Sequence, residues 1–308
     1  MKNLKVIFAF LAIYLGWGST YLAIALALED FSPFILAGIR FLLAGSVFLI
    51  WCRYQRVAFP PIRECIWHAL VGILLLFFGS GSVIWVEQYL STGLTSIIWA
   101  SLPLWLIVLD QKAWHSNFTN GFLLMGLLLG FLGVVVLFWD VNLIEDPSPG
   151  RAPALLVAFV GVLAFSIGSL ISRYRKSESN FILATSIQLL VAGSLALFSG
   201  LFVMNESFPD FSSQTYARSI FSLAYLVIIG SLVAYSAYVW LLKVMPPTVV
   251  STYTYINPAV ALLLGGLFLN EEITFLKIFS LALISTGVLT VNLKKSKRYD
   301  KSVKQETV

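Results

Sequence analysis

Residues 6–28 read VIFAFLAIYLGWGSTYLAIALAL, a run of 23 residues without a charge. A membrane-spanning helix needs about 20 mainly apolar residues. The apolar core of a secretory signal is shorter, about 7–15 residues. We therefore interpret this run as an uncleaved first transmembrane helix.

Nine further apolar runs follow, separated by short segments that hold the charges, prolines and turn residues. They are about twice as long as membrane β-strands and lack strict alternation. The chain has 308 residues, of which 59% are hydrophobic and 11% charged, a composition that excludes a disordered chain, a nucleic-acid-binding domain and an ordinary cytosolic enzyme. We predict an all-α integral membrane protein with ten transmembrane helices at about 4–28, 33–52, 66–87, 92–110, 120–139, 153–172, 181–204, 219–242, 248–269 and 274–293.

The 20 lysines and arginines are distributed unevenly between the loops. Sixteen fall on one side of the predicted membrane, three on the other, and Arg40 lies inside the second span. Basic residues are retained on the cytoplasmic side, so both termini are predicted to be cytoplasmic. A missed or invented span would move every later loop to the opposite side and destroy this bias. The basic tail, 294–308, is expected to contact anionic lipid rather than nucleic acid.

The two halves of the chain share weak similarities in the same order. Residues 91–104 align with 246–259, Gly133-Val134 with Gly287-Val288, and Gly18-Ser19 with Gly168-Ser169. Because five spans is an odd number, the second half enters the membrane from the opposite side. This predicts an inverted-topology repeat, a common plan of secondary transporters, with the substrate site between the halves.

Two prolines align between the halves and fall inside predicted spans, Pro103 and Pro258. Each removes a backbone donor and frees a carbonyl, which in lipid must find a partner in protein or in a water-filled cavity. We predict that both are interior hinges; simple packing kinks are the alternative. Gly126, Gly130 and Gly133 predict close packing of the fifth span on a neighbour, within the monomer or in a homodimer.

Two ionisable residues inside the spans are candidates for function because burying a charge in a membrane is costly. Arg40 can bind an anionic group of a substrate, pair with Glu87 or a helix-end carbonyl, or extend towards the outer headgroups. Glu87 can carry a proton if its surroundings are partly dry; an exposed helix-end charge is the alternative.

Aromatic and small polar side chains recur within the spans. They suit the wall of a cavity for amphipathic metabolites, aromatic amino acids or cationic drugs, although Trp and Tyr also favour the membrane interface. The predicted substrate-binding residues are Trp17, Ser19, Tyr21, Arg40, Glu87, Ser96, Trp99, Tyr253 and Asn257.

Four segments form an ordered set: Trp17-Gly18-Ser19-Thr20-Tyr21, Pro33 with Arg40-Phe41, Glu87-Gln88 followed by Leu102-Pro103-Leu104, and YTYINPAVALLLG at 253–265. This set resembles the EamA family of the drug/metabolite transporter superfamily, most closely its YedA-like branch. The resemblance implies two five-helix EamA repeats, at 1–139 and 152–293, in a bacterial inner membrane. Where members often carry Gly-Glu after the fourth helix, this chain has Leu109-Asp110, so any role of such a glutamate rests on Glu271 or Glu272.

These observations predict a secondary transporter that exports or exchanges small organic metabolites or drugs, amphipathic or amino-acid-like, by alternating access. The chain has no phosphate-binding GxxxxGK[ST] motif, so we do not expect ATP to drive it directly. We expect no metal and no cofactor, with proton coupling as an open alternative. A non-transporting scaffold or sensor and a membrane-embedded enzyme are the competing hypotheses; the enzyme is disfavoured because neither HExxH nor GxSxG occurs.

Overall fold

The computed structural model of the chain describes residues 2–90, 95, 98–137, 150–209, 216–268, 275, 278–280 and 282–291. The predictions for Ser96, Glu271, Glu272 and the basic tail lie outside these residues. Within them the secondary structure is helical, without strands. The apolar helices are α1 (Lys2–Ala27), α2 (Pro33–Tyr54), α3 (Ile62–Val86), α4 (Ile98–Leu109), α5 (Gly121–Leu137), α6 (Arg151–Tyr174), α7 (Phe181–Val203), α8 (Ala217–Val244), α9 (Tyr253–Phe268) and α10 (Ile278–Val291).

Six of the described helices are long and apolar enough to cross a membrane, namely α1, α2, α3, α6, α7 and α8. A seventh candidate is a broken pair, in which Gln111–Phe118 meets Gly121–Val136 at a bend of 94°. A helix lies at each of the ten predicted positions, but α4, α9 and α10 are shorter in the described residues. The count of ten spans therefore stays a prediction, whereas the multi-pass, all-helical class is confirmed.

The ends of the helices follow from local sequence. Pro33 starts α2, where its missing N–H costs nothing. The next two N–H groups, those of Phe34 and Ile35, donate hydrogen bonds to the carboxylate oxygens of Glu206, with N···O distances of 3.4 and 3.0 Å. Asn180 caps α7 in the usual way, since its side chain accepts from the N–H groups two and three residues later.

Large apolar side chains cover the outer faces of the helices. Phe221, Phe202 and Leu156, for example, are 82%, 71% and 63% exposed. Water would disfavour so much exposed apolar surface, whereas lipid accommodates it. The outward faces are therefore those of a protein immersed in a bilayer.

The helices of the two halves pack reciprocally. The first helix of the first half, α1, packs against α8 and α9, and the first helix of the second half, α6, packs against α3 and α4. The second helices, α2 and α7, pack against each other. Each half therefore supplies the same helices to the other, which is the contact pattern that a two-fold relation between them requires.

Glycines allow the closest of these approaches. A Cβ on Gly193 of α7 would lie 2.8 Å from the backbone N of Leu42 on α2, and one on Gly126 of α5 would lie 2.8 Å from the carbonyl oxygen of Gly287. The glycine face predicted on the fifth span thus packs against α9 and α10 of the same chain.

Candidate functional site

A cavity of about 50 Å³ lies between the two halves. This is room for a few water molecules, far below the 300–1,000 Å³ of typical ligand sites. The cavity as it stands is therefore too small for a metabolite, and its walls must separate to admit one. Its lining comes from both halves: Trp17, Thr20, Tyr21, Ile24, Arg40, Ser80, Val83, Trp99, Phe165, Tyr253 and Asn257.

Aromatic rings form one wall of the cavity. The ring of Trp17 lies 4.8 Å from that of Tyr253 and 6.2 Å from that of Phe165, centre to centre, and Phe165 lies 5.3 Å from Trp99. All three pairs meet edge-on, an arrangement that the ring quadrupoles favour. Tyr238, behind Trp17 at 5.1 Å, donates to or accepts from Ser169 at 2.7 Å and backs this wall.

Arg40 brings an unbalanced positive charge to the cavity. Arg40 is buried, with only 4% of its surface exposed. Nε donates to Ser231 Oγ at 2.9 Å, and the guanidinium carbon lies 5.3 Å from the ring centre of Phe41. No carboxylate among the described residues lies within 4.0 Å of it. The structure thus shows neither of two sequence alternatives, an ion pair with Glu87 or an extension towards the headgroups.

Two residues of the cavity lining each hold a buried polar atom that has no hydrogen-bond partner in the described part of the chain. These atoms are the indole Nε1 of Trp99, a donor, and the amide Oδ1 of Asn257, an acceptor. Each buried polar group left unpaired costs about 1–3 kcal/mol. Native proteins seldom accept that cost without a compensating role such as binding a ligand or water.

Glu87 follows directly after α3 and lies beside the cavity rather than in its lining. Both of its carboxylate oxygens are buried, and neither has a partner among the described residues. Its charge interacts electrostatically with Tyr21, which does line the cavity. Burying a carboxylate without a partner is costly, so the negative charge needs a proton or an incoming cation.

The remaining predicted residues are placed elsewhere. Ser19 does not line the cavity; its hydroxyl donates to the Leu15 carbonyl at 2.7 Å and pairs with the Tyr225 hydroxyl at 2.6 Å. Pro103 is the second residue of the second part of α4, Leu102–Leu109, which follows a turn at Ser101, and Pro258 lies buried inside α9. Both prolines thus sit at interruptions of the helical hydrogen bonding, and their role as hinges stays a prediction.

No cluster of three or more metal-binding side chains exists in the described ranges.

Six of the nine predicted binding residues converge on one cavity: Trp17, Tyr21, Arg40, Trp99, Tyr253 and Asn257.

The sequence model of the EamA-like transporter family matches residues 4–139 and 152–293. The chain belongs to the EamA-like transporter family. The family match, together with relatives that are named as transporters, identifies the protein as a membrane transporter.

Three relatives are similar along nearly their whole lengths. The inner membrane transporter YedA of Escherichia coli (strain K12) is 28% identical over 288 residues, 93% of this chain and 90% of YedA. The transporter YoaV of Bacillus subtilis (strain 168) is 24% identical, covering 96% and 99%. A transporter of Archaeoglobus fulgidus is 24% identical, covering 91% and 95%. A solved crystal structure matches this fold with a TM-score of 0.74 at 19% identity, covering 96% and 98%.

Two of the features that the sequence does not predict lie beside the cavity of this EamA-like transporter. One is Ser231, which holds the Arg40 guanidinium from 191 residues away. The other is a pair of π-helical segments, Ile73–Ser80 and Leu226–Tyr235, in the third helix of each half. Both flank the cavity: Ser80 lines it, and the Gly230 carbonyl accepts from Trp17 Nε1 at 3.0 Å. A Gly-Ser pair in each segment, Gly79-Ser80 and Gly230-Ser231, could have indicated these π-helical segments, because such pairs favour helix distortion.

Proposed function

We propose that the protein is a secondary transporter that moves small organic solutes across a bacterial inner membrane by alternating access. We propose further that it has ten spans in two inverted halves, with both termini in the cytoplasm. Export or exchange is the proposed direction, and a monomer the proposed unit, because the glycine face of α5 is occupied by its own chain.

One observation carries the proposal most directly. The cavity between the halves combines a buried arginine without a counter-ion and two unpaired polar atoms on a background of aromatic rings. A purely structural core gains nothing from such a set, because each unpaired group destabilises it. A site that pairs these groups with a solute recovers that cost on binding.

Metabolite profiling tests the proposal. Cells that overproduce the wild-type protein and cells that overproduce Arg40→Gln are compared for metabolites in cells and medium, and the affected solute is then assayed in proteoliposomes. We expect a small set of solutes to shift with the wild type and not with Arg40→Gln. Gly121→Ala serves as the control, since a Cβ there meets no atom within 4 Å. Identical profiles for wild type and empty vector, followed by no flux of any candidate in proteoliposomes, contradict the proposal.

Proton coupling through Glu87 is the second part of the proposal. It is supported by the burial of both carboxylate oxygens without a partner and by the electrostatic interaction with Tyr21. In this scheme Glu87 takes up a proton in one conformation and releases it in the other, and Tyr21 connects its charge to the occupancy of the cavity.

A comparison of driving forces tests the coupling. Net flux of the identified solute is measured in proteoliposomes with and without a pH gradient, for wild type and Glu87→Gln. We expect the gradient to accelerate the wild type only, and Glu87→Gln to keep exchange while losing the response. Equal responses of the two proteins, or none in the wild type, contradict coupling through this residue without affecting the transporter proposal.

A further inference from the structure

We infer that the cavity binds a small organic anion: a carboxylate that contacts Arg40 and carries an uncharged hydrogen-bond donor, such as a hydroxyl group, for Asn257. The inference deepens the proposed function by naming the class of substrate. It rests on that function only in one respect, since it treats the bound ligand as the transported solute. It also narrows the range of amphipathic, amino-acid-like and cationic ligands that the sequence leaves open.

The charge of the cavity selects an anion. Arg40 is the charged residue of the lining, it is 4% exposed, and no described carboxylate lies within 4.0 Å of it. Glu87 lies outside the lining, and no ion pair within 4.0 Å joins its carboxylate to Arg40. A cationic ligand would meet a like charge in a poorly screened site, and a zwitterion would bring a second positive charge. A monoanion neutralises the site.

The geometry of the guanidinium suits a carboxylate. Nε is engaged by Ser231 Oγ at 2.9 Å, which holds the group in one orientation. The two terminal nitrogens make no hydrogen bond to the described residues and remain for the ligand. A planar guanidinium held from one side binds a carboxylate through charge-assisted hydrogen bonds, the strongest that side chains make.

The unpaired atoms define what else the ligand carries. Trp99 Nε1 is a donor and adds to the positive end of the site, where a carboxylate oxygen or another acceptor satisfies it. Asn257 Oδ1 is an acceptor, and a donor on the ligand would satisfy it once the walls of the cavity separate. Because Arg40 already supplies the positive charge, a hydroxyl group meets this need without adding a second cation. The rings of Trp17, Phe165 and Tyr253 then contact the apolar body.

Binding to the purified full-length protein in lipid nanodiscs tests the inference by calorimetry at pH 7. One series has an aromatic body: 3-phenyllactate, 3-phenylpropionate without the hydroxyl, phenylalanine with an ammonium in its place, and the cation phenylalaninol. A second pair, lactate and propionate, repeats the hydroxyl comparison with a smaller body. The proteins are wild type, Arg40→Gln, Arg40→Lys and Asn257→Leu, with Gly121→Ala as the matched control.

We expect a hydroxy acid of at least one size to bind, with phenylalanine weaker and phenylalaninol weakest. Arg40→Gln should weaken that binding about 10- to 100-fold, as expected for a lost charge-assisted hydrogen bond, and Arg40→Lys less. Asn257→Leu should abolish the preference for the hydroxy acid over its hydroxyl-free partner, about fivefold for one neutral hydrogen bond. Gly121→Ala should match the wild type.

Three results overturn the inference: no hydroxy acid of either size binds, phenylalanine or phenylalaninol binds as tightly as 3-phenyllactate, or a folded Arg40→Gln keeps full affinity. If Arg40→Gln does not fold, the ligand series on the wild type and the Asn257→Leu comparison still decide. The nanodisc assay needs no transport, so anion binding without flux contradicts the proposed function alone, and flux of another solute class without anion binding contradicts this inference alone.

Discussion

Substitution of Gly230 by alanine displaces Arg40 without touching the charge itself. A Cβ at this position would lie 2.6 Å from Arg40 Nη2 and 3.1 Å from Thr20 Cγ2. The guanidinium must therefore retreat by about 0.8 Å to reach the 3.4 Å of an ordinary van der Waals contact. That movement strains the 2.9 Å hydrogen bond to Ser231, which is of the charged kind that contributes about 1.5–3 kcal/mol.

The effect on stability should be smaller than the effect on function. Replacing a helical glycine by alanine stabilises the helix by about 0.5–1 kcal/mol, which partly offsets the strained hydrogen bond. We expect a loss of about 1–2 kcal/mol in the free energy of unfolding. Substrate flux should fall at least tenfold, because a displacement near 1 Å in a positioned binding group has effects of up to about a hundredfold.

The assay is solute flux in proteoliposomes, paired with urea unfolding of the purified protein. Gly121→Ala is the control for the same chemical change in open surroundings, and it should differ little from the wild type in either measurement. The reasoning is refuted if Gly230→Ala transports at the wild-type rate while remaining folded, because the position of Arg40 would then not matter for binding.

Three further substitutions test other parts of the structure. Burial raises the pKa of the Glu206 carboxyl above 4.5, although two backbone N–H groups of α2 oppose this shift. Because the folded protein holds the proton more tightly than the unfolded chain, the free energy of unfolding should fall as the pH rises just above 4.5. Glu206→Gln should flatten that slope in thermal melts at a series of pH values. Asn257→Leu removes an unpaired buried atom, so the thermal midpoint should stay or rise while flux falls several-fold; a lower midpoint would show that the amide is structural. Tyr235→Phe breaks a buried 2.7 Å hydrogen bond to Gln188 and should cost about 1–3 kcal/mol in urea unfolding, with unchanged flux per folded molecule; a loss of flux at full stability would count against a purely structural role.

The helices were predicted to within a few residues wherever they are long. The second span was expected at 33–52 and α2 is Pro33–Tyr54; the eighth was expected at 219–242 and α8 is Ala217–Val244. The bend between Gln111–Phe118 and α5 is not predicted from the sequence, which indicates only a connection between two spans there. Nothing in its composition distinguishes a bent helical pair from a polar loop, because both hold the same turn and charged residues.

The candidate site was only partly predictable. Arg40 and Glu87 stood out because charges are rare in apolar spans, and the structure places Arg40 in the cavity and Glu87 beside it. Ser19 was grouped with the cavity because it is small, polar and next to Trp17, yet it bonds its own helix and Tyr225. Helical periodicity alone does not tell which face of α1 meets α8 and α9. Phe165 went unnoticed because a phenylalanine in an apolar span carries no signal.

Local sequence is sufficient to predict a multi-pass helical membrane protein and the positions of its main helices. In lipid every backbone group must be hydrogen-bonded within its own segment, so length and apolarity are sufficient local information. The contacts at the centre come from tertiary packing instead. Ser231 accepts a hydrogen bond from Arg40, the Gly230 carbonyl accepts one from Trp17, and Trp99 and Asn257 each keep a polar atom without a partner among the described residues. The first two contacts join residues 191 and 213 positions apart. They depend on how one half packs into the other, and no local pattern of hydrophobicity encodes that.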